Sequence, residues 1–311
     1  MRVLPVLMST LESCLRHPGL LHPDQHLRFS TALLKASALE LAILAGHLLL
    51  YPTGIRQERP TTPRRPAPTP RTTAETPKTS ETAEEADTLK TPVRLPSATA
   101  DRPVLLLHGF VDNRSVFVLL RRALAREGRQ HLASLNYSPL TCDIRGAAER
   151  LGRHVEETCE RTGQPVVDVV GHSLGGLIAR YYVQQLGGDV RVRTLVTLGS
   201  PHGGTAAVPL MSAHPIVRQM RPDSDVIQEL RQPAPHCRTR FVSFWSDLDT
   251  VMHPLETACV DHPDLLAHNV QVTGVGHLAL PVHPAVAAGI RQAIDAEEDI
   301  APAGGSTATV A

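Results

Sequence analysis

Short apolar runs alternate with longer amphipathic stretches from about residue 100 onward. Six apolar runs predict strands, at 103–107, 132–137, 165–170, 192–198, 240–245 and 269–273. Four intervening stretches predict helices, at 115–127, 144–161, 174–186 and 283–296. Strands that alternate with helices indicate an α/β domain, a doubly wound and mostly parallel sheet with helices on both faces. Such a sheet places its functional site at the carboxyl ends of the strands.

The pattern is less regular between residues 205 and 238, where Pro, Met and His are frequent. We consider two interpretations of this segment: a cap or lid over a pocket, or an ordinary surface insertion.

The amino-terminal third of the chain has a different composition. Between Arg59 and Pro96 most residues are Thr, Pro or charged, and almost none is apolar. Such a segment cannot bury a core, so we expect a disordered linker. The pattern therefore divides the chain into four parts, namely an N-terminal helical segment (1–58), a Thr/Pro-rich linker (59–99), an α/β domain (100–297) and a disordered tail (298–311).

Ahead of the linker, Leu27 to Tyr51 predicts one long helix. Its most apolar part begins at Ala36 and is interrupted by Glu40 and His47, and it is shorter than the roughly 20 residues that span a bilayer. A weak signal anchor, an in-plane amphipathic helix and a helix docked on the α/β domain are the three interpretations. We favour membrane attachment or secretion with the α/β domain outside the cytoplasm; a cytoplasmic location is the alternative.

The strongest chemical signal follows the apolar run at 165–170. The sequence from Gly171 to Gly175 has the form Gly-X-Ser-X-Gly with Ser173 at its centre, and a predicted helix comes next. This context is typical of a nucleophile elbow, a turn so tight that glycine is needed on both sides of the serine. We therefore expect Ser173 to be a nucleophile, with Gly171 and Gly175 as the elbow glycines.

A serine hydroxyl needs a base and an acid, in the chain order Ser, acid, His. The best base is His277, which follows a strand that ends in glycines. Asp249 and Asp247 both follow the strand at 240–245. We favour Asp249, because Asp247 stands closer to the strand end and suits a turn cap.

An oxyanion hole would complete this chemistry. The apolar run at 103–107 is typical of a buried parallel strand and leads into His108, Gly109 and Phe110. In such sites one backbone N–H comes from the residue after the nucleophile and another from the loop after an early strand. These positions predict Leu174 and Phe110 as the two donors.

These segments resemble the α/β-hydrolases, and within them bacterial triacylglycerol lipases and related esterases. The resemblance rests on five segments in the same order, namely 106–110, 171–176, 197–205, 246–251 and 274–277. It implies the α/β-hydrolase fold for about residues 101 to 293, with the residue matching Asp249 as the acid. It also implies hydrolysis of lipid or other carboxylic esters without a cofactor. A short-chain esterase, an acyltransferase and a non-catalytic binding protein are the alternatives.

The charge balance limits the kinds of partner that the protein is expected to bind. Lys and Arg number 31 and Asp and Glu also 31, so no electrostatic argument favours nucleic acid. The expected partners are an ester substrate and a membrane surface.

No spacing of Cys and His indicates a metal site. Four of the five cysteines fall in the α/β domain, and their number permits two disulfides, Cys237 with Cys259 and Cys142 with Cys159. Buried free thiols are the alternative.

Overall fold

A computed structural model describes residues 38–47, 49–52, 54, 102–110, 112–137, 143–207, 214–296 and 307–310. The predicted linker, Cys14 and Cys142 lie outside these residues, and so does most of the predicted tail. We number the strands and helices within the described part.

Seven parallel strands form one sheet in the order β2-β1-β3-β4-β5-β6-β7. The strands are β1 (Val104–Leu107), β2 (Leu132–Leu135), β3 (Val167–His172), β4 (Val192–Leu198), β5 (Arg240–Ser246), β6 (Leu266–Val272) and β7 (Thr307–Val310). The first six correspond to the six predicted strands. We did not predict β7, which lies within residues 298–311 and pairs with β6. Its Thr-Ala-Thr-Val sequence is rich in β-branched residues, which suit an added edge strand.

Seven helices accompany the sheet within the described residues. They are α1 (38–47 and 49–52), α2 (Val118–Arg126), α3 (Ile144–Thr162), α4 (Leu174–Gln185), α5 (Pro215–Gln219), α6 (Asp225–Glu229) and α7 (Pro284–Asp295). Local signals set the ends of α3: the Asp143 side chain accepts a hydrogen bond from Gly146 N (2.8 Å), and Gly163 ends the helix with φ 71°. Such caps satisfy backbone groups that a helix end leaves unpaired.

The sheet is buried on both faces. Along β1, Leu105 and Leu107 pack into a cluster with α3 and α4, whereas Val104 and Leu106 pack into a second cluster with α2 and α7. Successive side chains of a strand point to opposite faces, so a continuous apolar run requires a core on each side. This explains why the strands are apolar throughout.

The segment from 205 to 238 belongs partly to the first core. Ile216, Val217, Val226 and Ile227, from α5 and α6, are buried in the cluster with α3 and α4. These helices are therefore packed into the α/β domain and are not an exposed insertion. Residues 208–213, which a lid would also involve, lie outside the described residues.

Helix α1 docks on the α/β domain, as the third interpretation of this region expected. Ile43 packs against the second core cluster. The Tyr51 carbonyl accepts a hydrogen bond from Asn113 Nδ2 (2.8 Å), and the Gly54 carbonyl accepts one from Arg114 Nε (3.3 Å). Within the described part of the chain, no helix has the length and apolar character needed to cross a membrane. The start of the predicted helix, residues 27–37, lies outside that part.

Candidate active site

Four strand ends meet at one edge of the sheet. Gly109 follows β1, Ser173 follows β3, Asp249 follows β5 and His277 follows β6. Because the strands are parallel, their carboxyl ends share this edge, as the sequence predicted. Ser173, Asp249 and His277 are all buried there, with 8%, 2% and 5% of their surface exposed.

Ser173 occupies a strained turn between β3 and α4. Its φ is 52° and its ψ −122°, and it is the only non-glycine residue in the described part with a positive φ. Its backbone N–H donates to the carbonyl of Leu198 at the end of β4 (2.9 Å). Non-glycine residues adopt such angles only where their surroundings impose them, most often at functional sites.

The two elbow glycines allow the turn to pack this closely. A Cβ at Gly171 would lie 2.5 Å from the backbone of Gly176 at the start of α4. A Cβ at Gly175 would run into the carbonyl oxygens of Leu107 and His108 at the end of β1. Each contact joins α4 to a strand, so a side chain at either position would push the serine turn away from the sheet.

Asp249, and not Asp247, contacts the histidine. Asp249 Oδ2 lies 2.7 Å from His277 Nδ1, while its Oδ1 accepts hydrogen bonds from the backbone N–H groups of Val251 (2.9 Å) and Met252 (3.1 Å). These bonds hold the carboxylate in place. Asp247 instead accepts a hydrogen bond from Gly274 N (2.8 Å), in the loop after β6.

Carboxylates dominate the electrostatics of His277. Burial alone would lower its pKa, but the negative charges of Asp249, Glu40 and Asp112 and the hydrogen bond that the ring donates to Asp249 together raise it above its ordinary value. The site therefore favours the protonated imidazole ring more than water does.

The described residues include no hydrogen bond between the Ser173 hydroxyl and the His277 ring. His172, the residue before the serine, contacts His277 instead. Its ring centre lies 4.9 Å from that of His277, and its Nε2 donates to the His277 carbonyl (3.2 Å). Burial lowers the pKa of His172. Its neutral ring packs inside the site against His277.

Asp112 is a buried residue of the site that sequence reasoning missed. Its carboxylate lies between His172 Nδ1 (3.4 Å) and His47 Nδ1 of α1 (3.3 Å). Burial acts to raise the pKa of Asp112, but its close contacts with these two histidines hold it well below its ordinary value. No local pattern could have revealed this residue, because its partners lie far from it in the sequence.

Gly199 was also missed, although a glycine at a strand end is a local signal. It follows β4 and has φ 53°. A Cβ there would lie 2.9 Å from Asp249 Oδ2 and 3.0 Å from His277 Nδ1. Glycine therefore leaves the space in which the aspartate and histidine meet.

The segment at 197–205, which carries part of the family resemblance, forms a buried polar network beneath the site. Thr197 Oγ1 lies 2.9 Å from His202 Nε2 and donates to Ser243 Oγ (2.9 Å). The Arg180 guanidinium of α4 donates to the His202 carbonyl (3.3 Å). Burial and the Arg180 charge lower the pKa of His202 well below its ordinary value. The network ties β4, β5 and α4 together.

Phe110 and Leu174, the predicted oxyanion donors, flank the serine. Leu174 is the first residue of α4, where backbone N–H groups have no partner within the helix. Phe110 follows Gly109, and a Cβ on that glycine would lie 3.3 Å from Ser173 Cβ. The hydroxyl of Tyr137 donates to the carbonyl of His108 and so braces this loop. The Phe110 ring meets His214 edge-on, with ring centres 5.6 Å apart.

The predicted disulfide between Cys237 and Cys259 is not formed. Cys159, Cys237 and Cys259 are free thiols, and Cys142 lies outside the described residues. Cys237 precedes the first residue of β5, whereas Ala258, next to Cys259, packs beside Ser243 in the middle of that strand. Burial raises the pKa of Cys237 and raises the pKa of Cys259 to about 11. These cysteines fill space as neutral thiols.

Metal ligands are not assembled in the part of the chain that the structure describes, where no three or more His, Cys, Asp or Glu side chains are grouped to hold an ion.

Comparison with known proteins found one family model and several solved structures of similar fold. The family model described as palmitoyl protein thioesterase matches residues 103–251. Lipase B of Aspergillus fumigatus superposes with a TM-score of 0.57 at 15% identity, over 63% of this chain and 53% of that one, so the match spans about half of the lipase. The mature lipase BlEst2 of Bacillus licheniformis has a TM-score of 0.49 at 15% identity, over 63% and 95% of the two chains. Monoacylglycerol lipase of Paleococcus ferrophilus has a TM-score of 0.48 at 13% identity, over 62% and 93%. The strand order and the superposition on lipase B show that the described domain has the α/β-hydrolase fold.

Proposed function

We propose that the protein is a serine-dependent carboxylic ester hydrolase. The observation that carries the proposal is the 2.7 Å contact of Asp249 with His277 at the same sheet edge as Ser173, whose backbone is held at φ 52°. A binding protein needs none of these features together. Strain at the serine and a buried aspartate on the histidine both support chemistry over a purely structural role.

In the proposed reaction Ser173 Oγ attacks the ester carbonyl while His277 Nε2 takes the hydroxyl proton. Asp249 orients the ring and stabilises the imidazolium, and the N–H groups of Phe110 and Leu174 bind the oxyanion. The alcohol leaves with the proton from His277. Water then attacks the acyl-enzyme with His277 as base, which releases the carboxylic acid and restores the serine. The absent Ser173–His277 hydrogen bond is compatible with this, because catalytic bonds are often looser without substrate.

We propose a lipid ester as the substrate. Structures that share this fold include proteins named as lipases. The solvent-exposed face of α1, the helix docked on the α/β domain, adds an apolar surface. Its exposed residues carry no charge, namely Ala38, Leu39, Leu41, Ala42, Ala45, Leu49, Leu50, Tyr51 and Pro52. A face without charge is suited to lie in a lipid surface while the polar side of the helix contacts the enzyme. We accordingly propose attachment to a membrane surface.

A thioester is the second candidate substrate. The match of residues 103–251 to the palmitoyl protein thioesterase model favours it. The same acyl-enzyme would form, with a thiol leaving in place of the alcohol. This leaving group needs less help from His277, so thioester hydrolysis should depend less steeply on the histidine.

The test compares the wild-type protein with Ser173→Ala on p-nitrophenyl esters from acetyl to palmitoyl, on emulsified triglyceride and on palmitoyl-coenzyme A. Loss of the nucleophile should lower turnover at least about a thousandfold on every accepted substrate. Ser200→Ala, a change at a neighbouring buried serine, is the control. Equal activity of the wild type and Ser173→Ala would exclude the mechanism. The preferred leaving group would decide between ester and thioester.

A further inference from the structure

A carboxylate from outside the α/β domain reaches the loop that carries His277. Glu40 of α1 accepts hydrogen bonds from two backbone N–H groups, Oε2 from Leu278 (3.1 Å) and Oε1 from Ala279 (3.0 Å). Both residues belong to the short 3-10 helix His277–Val282, which begins at the histidine itself. The two residues bonded to Glu40 therefore follow His277 directly.

These two hydrogen bonds stabilise the start of the 3-10 helix. The first N–H groups of a helix lack partners within it, and an acceptor side chain stabilises the helix start. Gly276 makes the approach possible, because a Cβ there would collide with the Glu40 carboxylate. No side chain within the 3-10 helix caps its start. Glu40 thus performs from a distant segment the task that a capping residue performs locally.

A series of contacts also leads from helix α1 to His277. His47 lies 3.3 Å from Asp112, Asp112 lies 3.4 Å from His172, and His172 donates to the His277 carbonyl. Glu40 and His47 lie seven positions apart, which places them on one face of the helix. The polar face of α1 is therefore directed at the histidine loop.

We propose that Glu40 is a positioning residue for His277, so that the N-terminal helix completes the active site of the α/β domain. This inference rests on the proposed function, since it assigns the histidine a catalytic role. Glu40 acts through the loop and does not touch the reacting atoms. It fixes the backbone after His277 and adds a negative charge near the ring.

The charge has a predictable sign. The ionisable groups that face His277 are Asp249, Asp112, Glu40 and His172. Negative charge on Glu40 raises the pKa of His277. Removing that charge should lower the pKa of His277. The histidine then stays neutral at lower pH, and the enzyme should stay active at lower pH as well. A purely structural cap would change stability but would leave this pKa in place.

The decisive experiment uses Glu40→Gln in the full chain. We expect kcat to fall about tenfold, because an amide cannot accept both hydrogen bonds. We also expect the acid limb of the kcat/KM profile to move to lower pH. Glu40→Asp keeps the charge, so the acid limb should stay near its wild-type pH. Its kcat should fall, because the aspartate side chain is shorter. Glu149→Gln, which alters an exposed carboxylate on α3, is the matched control.

NMR titration of the His277 ring gives a second readout that does not require turnover. A lower His277 pKa in Glu40→Gln than in the wild type and Glu149→Gln is expected, with circular dichroism confirming that each variant is folded. An unchanged His277 pKa and a superimposed pH profile would overturn the proposal. Failure of the proposed function would show itself differently, as no Ser173-dependent turnover in the wild type.

Discussion

At the scale of single residues, each group of the candidate site combines a local and a distant requirement. Ser173 is held by its own turn and by the carbonyl of Leu198. One oxygen of Asp249 is held by two backbone N–H groups of its own loop, and the other oxygen contacts His277. Burial makes these contacts strong, since few water molecules compete for them.

The pH dependence of activity follows from the His277 pKa. A general base works only when neutral, so kcat/KM should fall as the pH drops through the pKa of His277 in the free enzyme. That pKa is raised above the ordinary value of about 6.5. We therefore expect the acid limb of kcat/KM for a soluble p-nitrophenyl ester to lie above pH 6.5.

Asp249→Asn tests the cause of this shift. The amide removes the nearest negative charge, so the limb should move to lower pH while the rate drops by several orders of magnitude. Asp247→Asn, which changes the carboxylate that accepts a hydrogen bond from Gly274 N, should leave the position of the limb unchanged. A wild-type limb well below the ordinary histidine value would contradict the assignment of His277 as base.

At the scale of elements, hydrophobic periodicity predicts the strands because both faces of this sheet are buried, and the runs stand out against polar loops. The same signal is weaker for β7, which lies at the edge, and for α5 and α6, which have five residues each. In α1, periodicity predicts a helix but not its orientation. Its polar side faces the protein, which reverses the usual arrangement.

The apolar face of α1 leads to a prediction at this scale. Leu39→Gln and Leu49→Gln place polar groups at positions that are 47% and 81% exposed. If this face lies in a lipid surface, each change should lower activity on emulsified triglyceride several-fold, because apolar contact with lipid is lost. Hydrolysis of soluble p-nitrophenyl acetate should stay at the wild-type rate.

Leu119→Gln is the matched control for this prediction, because Leu119 is an exposed leucine on α2, with 55% of its surface accessible. Emulsion activity and binding to phosphatidylcholine vesicles measured side by side would check the result. Equal losses in the α1 variants and in Leu119→Gln would show that the face has no special part in binding lipid.

At the scale of the whole molecule, stability comes from two apolar cores and not from covalent links between the described cysteines. Cys159 packs within one core cluster, with Cys237 against its edge. Since Cys159, Cys237 and Cys259 are free thiols, we expect a reducing agent to leave the melting temperature unchanged. A lost disulfide would typically cost about 2–5 kcal/mol of unfolding free energy.

Mass spectrometry after alkylation of the unfolded, unreduced protein checks this expectation. Cys159, Cys237 and Cys259 should all be modified. If any of them were modified only after reduction, a disulfide would be present and the free-thiol state would be wrong.

The sequence by itself determined the first six strands and the longer helices in their order along the chain, and it identified Ser173, His277 and the elbow glycines as candidates. These depend on local requirements: the burial of a strand, the tightness of a turn, the glycines after a strand. It narrowed the acid to two neighbours.

Only the tertiary structure decided what depends on distant contacts. It brought Asp249 rather than Asp247 to His277, set Asp112 between two histidines, left Cys237 and Cys259 unpaired and placed Glu40 on the histidine loop. The physical reason is that a buried charge or thiol is controlled by its neighbours in space, and at this site those neighbours come from segments up to 239 positions apart in the chain.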